Sequence, residues 1–191
     1  MADYSPRERL VYSAAQLLRV QGMSATGVRD VIDHSATPRG SFQHYFPGGK
    51  DQLVGEALLW SGSFAAERVE RYVATARRPT PGGLFARMVE QWKRDLADDF
   101  ERGCPVVATA ADIAGSESPV TGPLLSATDR WERAIVDALI AMGAARSRAK
   151  SLATLMLSAL EGAIVLARIR RDLGPLSTVL SELRPLLDSE H

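Results

Sequence analysis

Arg39, Ser41, Gln43 and His44 sit close together behind Pro38 and among the aromatics Phe42, Tyr45 and Phe46. A guanidinium, a hydroxyl, an amide and an imidazole in that order are groups that reach base edges and phosphate oxygens. Chemistry on a bound substrate has poorer material. There is no Glu-x-x-His pair for a di-metal centre, no glycine-rich phosphate loop between a strand and a helix, and only three histidines. The residues therefore indicate binding to a groove, not catalysis, and no cofactor or metal is expected.

Two short apolar-faced segments within residues 26–46 position these groups, separated by Ser35-Ala36-Thr37. That is the pattern of a helix-turn-helix: one helix braces, a tight turn follows, and the second presents polar side chains. Thr26 is expected to cap the bracing helix, whose apolar face is Val28, Val31 and Ile32 and which ends near His34. Pro38 is expected to open the second helix, which can run about two turns before Pro47, with Phe42 and Phe46 facing inward at i, i+4. Gln43 could pair in bidentate fashion with adenine, a contact worth about 1–3 kcal/mol of discrimination.

The rest of the chain reads as helical. Ser5-Pro6 starts a first helix with Leu10, Ala14, Leu17 and Leu18 on one stripe, ended by Gly22. Lys50 opens a long fourth helix towards Ala76, whose buried stripe is Leu53, Ala57, Trp60 and Phe64. Residues 77–83, Arg-Arg-Pro-Thr-Pro-Gly-Gly, form the clearest linker. A fifth helix carries Phe85, Met88, Val89, Trp92 and Leu96; Cys104-Pro105 begins a short sixth, and a seventh ends at Gly143. Residues 147–172 are apolar almost all round and must be covered on every side, and a last amphipathic helix follows Gly174-Pro175.

Composition narrows the function. The 191 residues are 46% hydrophobic and 24% charged, with 23 basic and 23 acidic side chains and no net charge. That counts against a protein that coats nucleic acid by bulk charge, since such proteins are usually strongly basic. The first 60 residues carry six basic and six acidic groups, so binding has to rest on a few placed cations and respond to salt. The N-terminus lacks an apolar signal core, which predicts a cytoplasmic protein. The apolar stretch 152–167 is shorter than the roughly 20 residues that span a bilayer and holds Glu161, so no membrane partner is expected. A single cysteine, Cys104, rules out an internal disulfide and a cysteine zinc site.

With these residues in view, the first 60 positions resemble the DNA-binding domain of the TetR/AcrR family of bacterial transcriptional regulators. Ala14-Ala15-Gln16-Leu17-Leu18, Thr26-Gly27-Val28-Arg29-Asp30-Val31, Pro38-Arg39-Gly40-Ser41-Phe42 and His44-Tyr45-Phe46 carry the likeness. Phe46-Pro47-Gly48-Gly49-Lys50 and Gly103-Cys104-Pro105-Val106 are similar to the LmrA/YxaF-like subgroup. The resemblance implies an all-α homodimer of about nine helices. A DNA-binding domain would occupy 5–50, its motif 27–46, and a ligand-binding and dimerisation domain 51–188. It further implies a repressor of a palindromic double-stranded DNA operator, released by a small-molecule effector, with dimerisation through the last two helices. By position, Thr26, Arg29 and Lys50 match phosphate or groove-edge contacts, and Pro38, Arg39, Gly40, Ser41, Gln43, His44 and Tyr45 match the recognition helix. Ala36 stands where the family turn has glycine, and Gln43 where tyrosine is common.

Phe85, Met88, Trp92, Trp131 and Met156 are the candidates for touching a hydrophobic ligand, although such stripes are more often plain core. Cys104, before Pro105 at a helix start, allows an alternative: a redox-responsive regulator, set against a small buried hydrophobe. The other alternative is a helical protein-binding adaptor without DNA affinity, which the charge balance leaves open. Glu161 in its apolar helix must be paired or reach solvent, with Arg168 or a partner subunit as the counter-charge.

Overall fold

The computed structural model describes residues 4–189, and among them it contains nine α-helices and no strand. In order they are α1 (Pro6–Ala25), α2 (Val28–Ser35), α3 (Ser41–Tyr45), α4 (Gly49–Thr75), α5 (Pro81–Asp98), α6 (Pro105–Ile113), α7 (Thr121–Ala141), α8 (Arg146–Arg170) and α9 (Gly174–Asp188). The chain divides into two compact units, one running to Ser63 and including Cys104–Asp129, the other made of Phe64–Gly103 and the chain from Arg130 onward. The all-α expectation holds.

The first unit is built on α1. Ser5 and Glu8 form a reciprocal capping box at its start, Ser5 N–H to Glu8 Oε2 at 2.8 Å and Glu8 N–H to Ser5 Oγ at 3.3 Å. Those bonds hold the Glu8 carboxyl below its usual range. Leu10, Ala14 and Leu18 are fully buried and meet Val31 and Ile32 of α2, Phe42 and Phe46, and Leu53, Val54, Ala57 and Leu58 of α4. Val106 and Ile113 of α6 and Val120 and Ala127 close the same core. A Cβ at Gly62 would come within 2.5 Å of the Ala127 carbonyl, so glycine is what lets α4 and α7 approach there.

In the second unit, α8 and α9 pack together and α5 packs on both. Leu84, Phe85, Val89 and Leu96 of α5, Leu152, Met156, Leu160 and Ile164 of α8, and Leu176 and Leu187 of α9 are buried. Gly82 N–H donates to Asp188 Oδ1 at 2.9 Å, tying the start of α5 to the end of α9. Arg168 grips the segment after α5 through the Phe100 and Glu101 carbonyls, and Arg171 pairs with the Glu101 carboxylate at 2.9 Å.

Several sequence expectations change. Regular α1 does stop at Gly22, where φ is 73, but one more helical turn continues to Ala25. The linker ends at Thr80, because Pro81 takes the first helical position and the Thr80 side chain caps α5 by accepting Gly83 N–H at 3.0 Å. Gly82 and Gly83 are thus helical. Phe64, placed on the buried stripe of α4, is 46% exposed with Arg68 over its ring. The helix around 152–167 has 25 residues and is long and apolar enough, by length and composition alone, to cross a membrane. The apolar stretch 152–167 is only part of this helix, and a core helix with its buried face on α5 and α9 has the same length and composition. It is not covered on every side: Leu155, Val165, Leu166 and Ile169 are exposed in the single chain.

Ala36 takes the left-handed conformation, φ 51 and ψ 38, at the end of α2. Its N–H bonds Asp33 O and the Thr37 N–H bonds Ile32 O, both at 3.3 Å, the Schellman pattern that glycine serves without strain. Ala36→Gly relieves that strain but frees the unfolded chain, so the expected net gain is about 0.5 kcal/mol. Ala36→Val, β-branched at positive φ, is expected to lose more than 1 kcal/mol or so. Thermal unfolding checks both; an Ala36→Gly protein less stable than the parent contradicts the assignment.

Candidate nucleic-acid interface

Nothing in the five residues of α3 is long enough to be helical alone, since isolated helices are marginal below about 12–15 residues. Its position comes from aromatic burial. Phe42 is 7% exposed and Phe46 not at all, their rings stacked with centroids 5.5 Å apart. The Phe46 N–H closes on Phe42 O at 2.8 Å, and the Arg7 guanidinium lies over the Phe46 ring at 5.4 Å. This fixes the inward face of α3 against α1 and α4, and turns Gln43 and His44 to solvent.

The turn before α3 is held from inside. Ser35 and Thr37 are buried, and Ser35 Oγ lies 2.9 Å from Ile32 O and 3.0 Å from Thr37 Oγ1. Pro38 does not open the helix: Ser41 N–H bonds Pro38 O at 3.0 Å, so Pro38, Arg39 and Gly40 form a separate exposed turn and α3 begins at Ser41. The residue types allowed a longer helix; the turn's hydrogen bond stops it. After α3, Gly49 N–H bonds Phe46 O at 2.9 Å with φ 70, and Gly48 N–H donates to Gln52 Oε1 at 2.9 Å, which caps the start of α4 beside Lys50.

The sequence-predicted DNA residues separate by exposure. Arg29, Pro38, Arg39, Gly40, Gln43 and His44 are exposed, and Ser41, Tyr45 and Lys50 are half-buried. Tyr45 packs partly on the core and meets His44 edge-on at 5.2 Å, while Gln43 Nε2 lies 3.5 Å from Pro47 O. Thr26 is different. It does not cap α2; Gly27 does, with its N–H on Asp30 Oδ2 at 3.1 Å. Thr26 is 2% exposed and its Oγ1 donates to Gly22 O at 2.6 Å, so its hydroxyl braces the bend in α1.

Residue spacing did not reveal the carboxylate that neighbours Arg39. Asp33 Oδ1 lies 3.8 Å from its guanidinium, both side chains being exposed, and the pair is formed across the turn instead of at helical spacing. Such an exposed pair is weak and leaves Arg39 available to a stronger anion. The ligand candidates all fall in the second unit: Phe85, Trp131 and Met156 are buried, and Met88 and Trp92 keep part of their surface. Cys104 is buried at the start of α6, as a small hydrophobe would be. Among the described residues no group of three or more His, Cys, Asp or Glu side chains could hold a metal.

A three-helix head whose short third helix is pinned by aromatics and displays polar groups belongs to the class of helix-turn-helix DNA-binding regulators. Residues 10–57 match the model of the bacterial regulatory proteins of the tetR family, and residues 81–182 that of the LmrA/YxaF-like transcriptional regulator C-terminal domain. The chain belongs to the TetR family of bacterial transcriptional regulators, and its C-terminal half to the LmrA/YxaF-like group. It is 42% identical over 194 residues to an HTH-type transcriptional regulator of Mycobacterium tuberculosis, covering 97% of this chain and 95% of that one. It is 27% identical to the HTH-type transcriptional regulator LmrA of Bacillus subtilis, over 95% of this chain and 96% of that one. In fold it is similar to a TetR transcriptional regulator from Legionella pneumophila, with a TM-score of 0.84, 17% identity and coverage of 98% and 100%. The protein is thus a DNA-binding transcriptional regulator and not an enzyme.

Two substitutions separate reading from positioning. Arg39→Ala removes an exposed cation and is expected to weaken DNA binding about tenfold while the melting temperature stays put. Phe46→Ala empties a filled core site and is expected to lose about 3–5 kcal/mol of stability. Equal effects of the two on binding and on melting contradict this division.

Proposed function

We propose that the protein is a dimeric repressor that leaves a palindromic operator when a small hydrophobic molecule binds. The observation that carries the dimer is the uncovered apolar stripe of α8, where Ile169 is 73% exposed beside Leu166 and Val165, with Leu186 of α9 also exposed. A second copy burying the α8 and α9 faces makes a four-helix bundle and places two α3 helices about a twofold axis. Half-sites then repeat at about 34–36 Å or a multiple.

In this reading Arg29 and Lys50 hold phosphates, and Arg39, Ser41, Gln43, His44 and Tyr45 meet the groove, with Pro38 and Gly40 shaping the approach. Thr26 acts from within, by bracing the turn before α2. Residues 5–50 serve as the DNA-binding domain and 51–188 as the ligand-binding and dimerisation domain. Met88 and Trp92, half-buried, and Phe85, Trp131 and Met156, buried, are the residues we assign to the effector. The effector acts by favouring a conformation with lower operator affinity; coupling of about 1–3 kcal/mol changes affinity 5- to 150-fold. Resemblance to the family supports this release mechanism, and a cytoplasmic location follows from the same function. Burial of Cys104 favours a ligand over a redox signal.

A gel shift with DNA from upstream of its own gene, repeated across a salt series, tests the reading. A specific shift that weakens steeply with salt supports it; no specific shift at low salt favours a protein-binding adaptor. Ile169→Glu places a charge in the proposed interface and is expected to give monomers at micromolar concentration, with operator affinity lower by an order of magnitude or so. A dimeric Ile169→Glu protein with unchanged operator binding places the interface elsewhere.

A further inference from the structure

Helix α6 belongs to the first unit and packs along α1, with Val106 and Ile113 against the shared core. Its Asp112 makes a contact that packing does not require. Asp112 Oδ2 accepts the backbone N–H of Ser24 at 2.9 Å, from a residue 88 positions away in the chain. Ser24 lies in the turn that follows Gly22, where positive φ interrupts regular α1. That turn leads straight into α2. Thr26 N–H bonds Met23 O at 3.3 Å, Thr26 Oγ1 bonds Gly22 O, and Gly27 begins the cap of the next helix.

The carboxylate fits because residue 22 has no side chain. A Cβ on Gly22 would lie 2.7 Å from Asp112 Oδ2, and φ of 73 favours glycine independently. Two features of this corner, the absent side chain and the reaching carboxylate, therefore serve one arrangement.

We propose that Asp112 is a positioning residue for DNA binding: by fixing the Ser24 amide at the pivot between α1 and α2, it sets the seat of the helix-turn-helix. Its contribution is geometric, since a negative charge adds nothing to affinity for a polyanion. On this proposal Asp112 acts through α2 and the turn that α2 carries, and not by touching DNA.

The test uses the full-length protein and a duplex that it selects in vitro from a random-sequence pool. Kd is measured on the active fraction fixed by stoichiometric titration, which removes the effect of a partly unfolded sample. Asp112→Asn and Asp112→Ala both delete the charge, but only asparagine keeps a carbonyl acceptor. We expect D112N to bind within about twofold of the parent and D112A about 5- to 10-fold more weakly, with faster amide exchange at Ser24 in D112A alone. Gly22→Ala is expected to weaken binding in the parent and to have a smaller effect in the D112A background, where the close approach to the carboxylate is gone. Equal Kd values for D112A and D112N, or additive effects of G22A and D112A, overturn the proposal. A folded G22A protein with the parent's Kd also overturns it, whether or not D112A folds.

Discussion

The burial of Phe42 and Phe46 is the constraint on which the DNA-binding head depends. Five residues cannot hold a helix by backbone bonding alone, because nucleating the first turn is unfavourable and few further bonds follow it. Two phenyl groups taken out of water contribute about 1.5–3 kcal/mol each, enough to order so short a segment. Their spacing at i, i+4 also sets its rotation, since with both rings inward Gln43 and His44 have nowhere to point but outward. The same burial bears on how a protein without net charge could bind DNA: we propose that a few ordered donors and cations, and not a basic surface, supply the affinity.

Around that anchor, the unusual backbone positions mark where the chain changes direction. Gly22, Ala36 and Gly49 all have positive φ, and they stand at the end of regular α1, the end of α2 and the start of α4. Two are glycines, and the third is not. At Ala36 the Schellman bonds and the buried Ser35 and Thr37 hydroxyls hold the turn despite the methyl group, so tertiary contacts override local preference. The bend at Gly22 is likewise held from two sides, by the Thr26 hydroxyl within the segment and by Asp112 from α6.

Much of this was legible in the sequence, and the reasons for what was not are specific. Ser5-Pro6, Gly22 and the Phe42–Phe46 pair announced themselves because their signals are local: a capping hydroxyl, a missing side chain, one helical repeat. At Ala36 the resemblance to the family showed where glycine was missing, and the structure supplied the left-handed conformation. Thr26 was misplaced because a threonine beside a glycine can cap or be capped over, and only burial decides. Pro38 and Pro81 show the two-sided meaning of proline, since the second opens a helix and the first stands in a turn before one. Phe64 followed the periodicity of α4 to a surface that leaves it exposed. The links between Asp112 and Ser24, and between Asp33 and Arg39, are not periodic at all, and no pattern within one helix could reveal them.

We propose that two copies of α3 read one DNA site across a twofold axis. Hydroxyl-radical footprinting of the wild-type protein on its selected duplex measures this directly. Two protected patches are expected, related by a dyad and centred one helical turn or a multiple apart, about 34–36 Å for a single turn. A single patch without a dyad, or uniform protection independent of sequence, would contradict it.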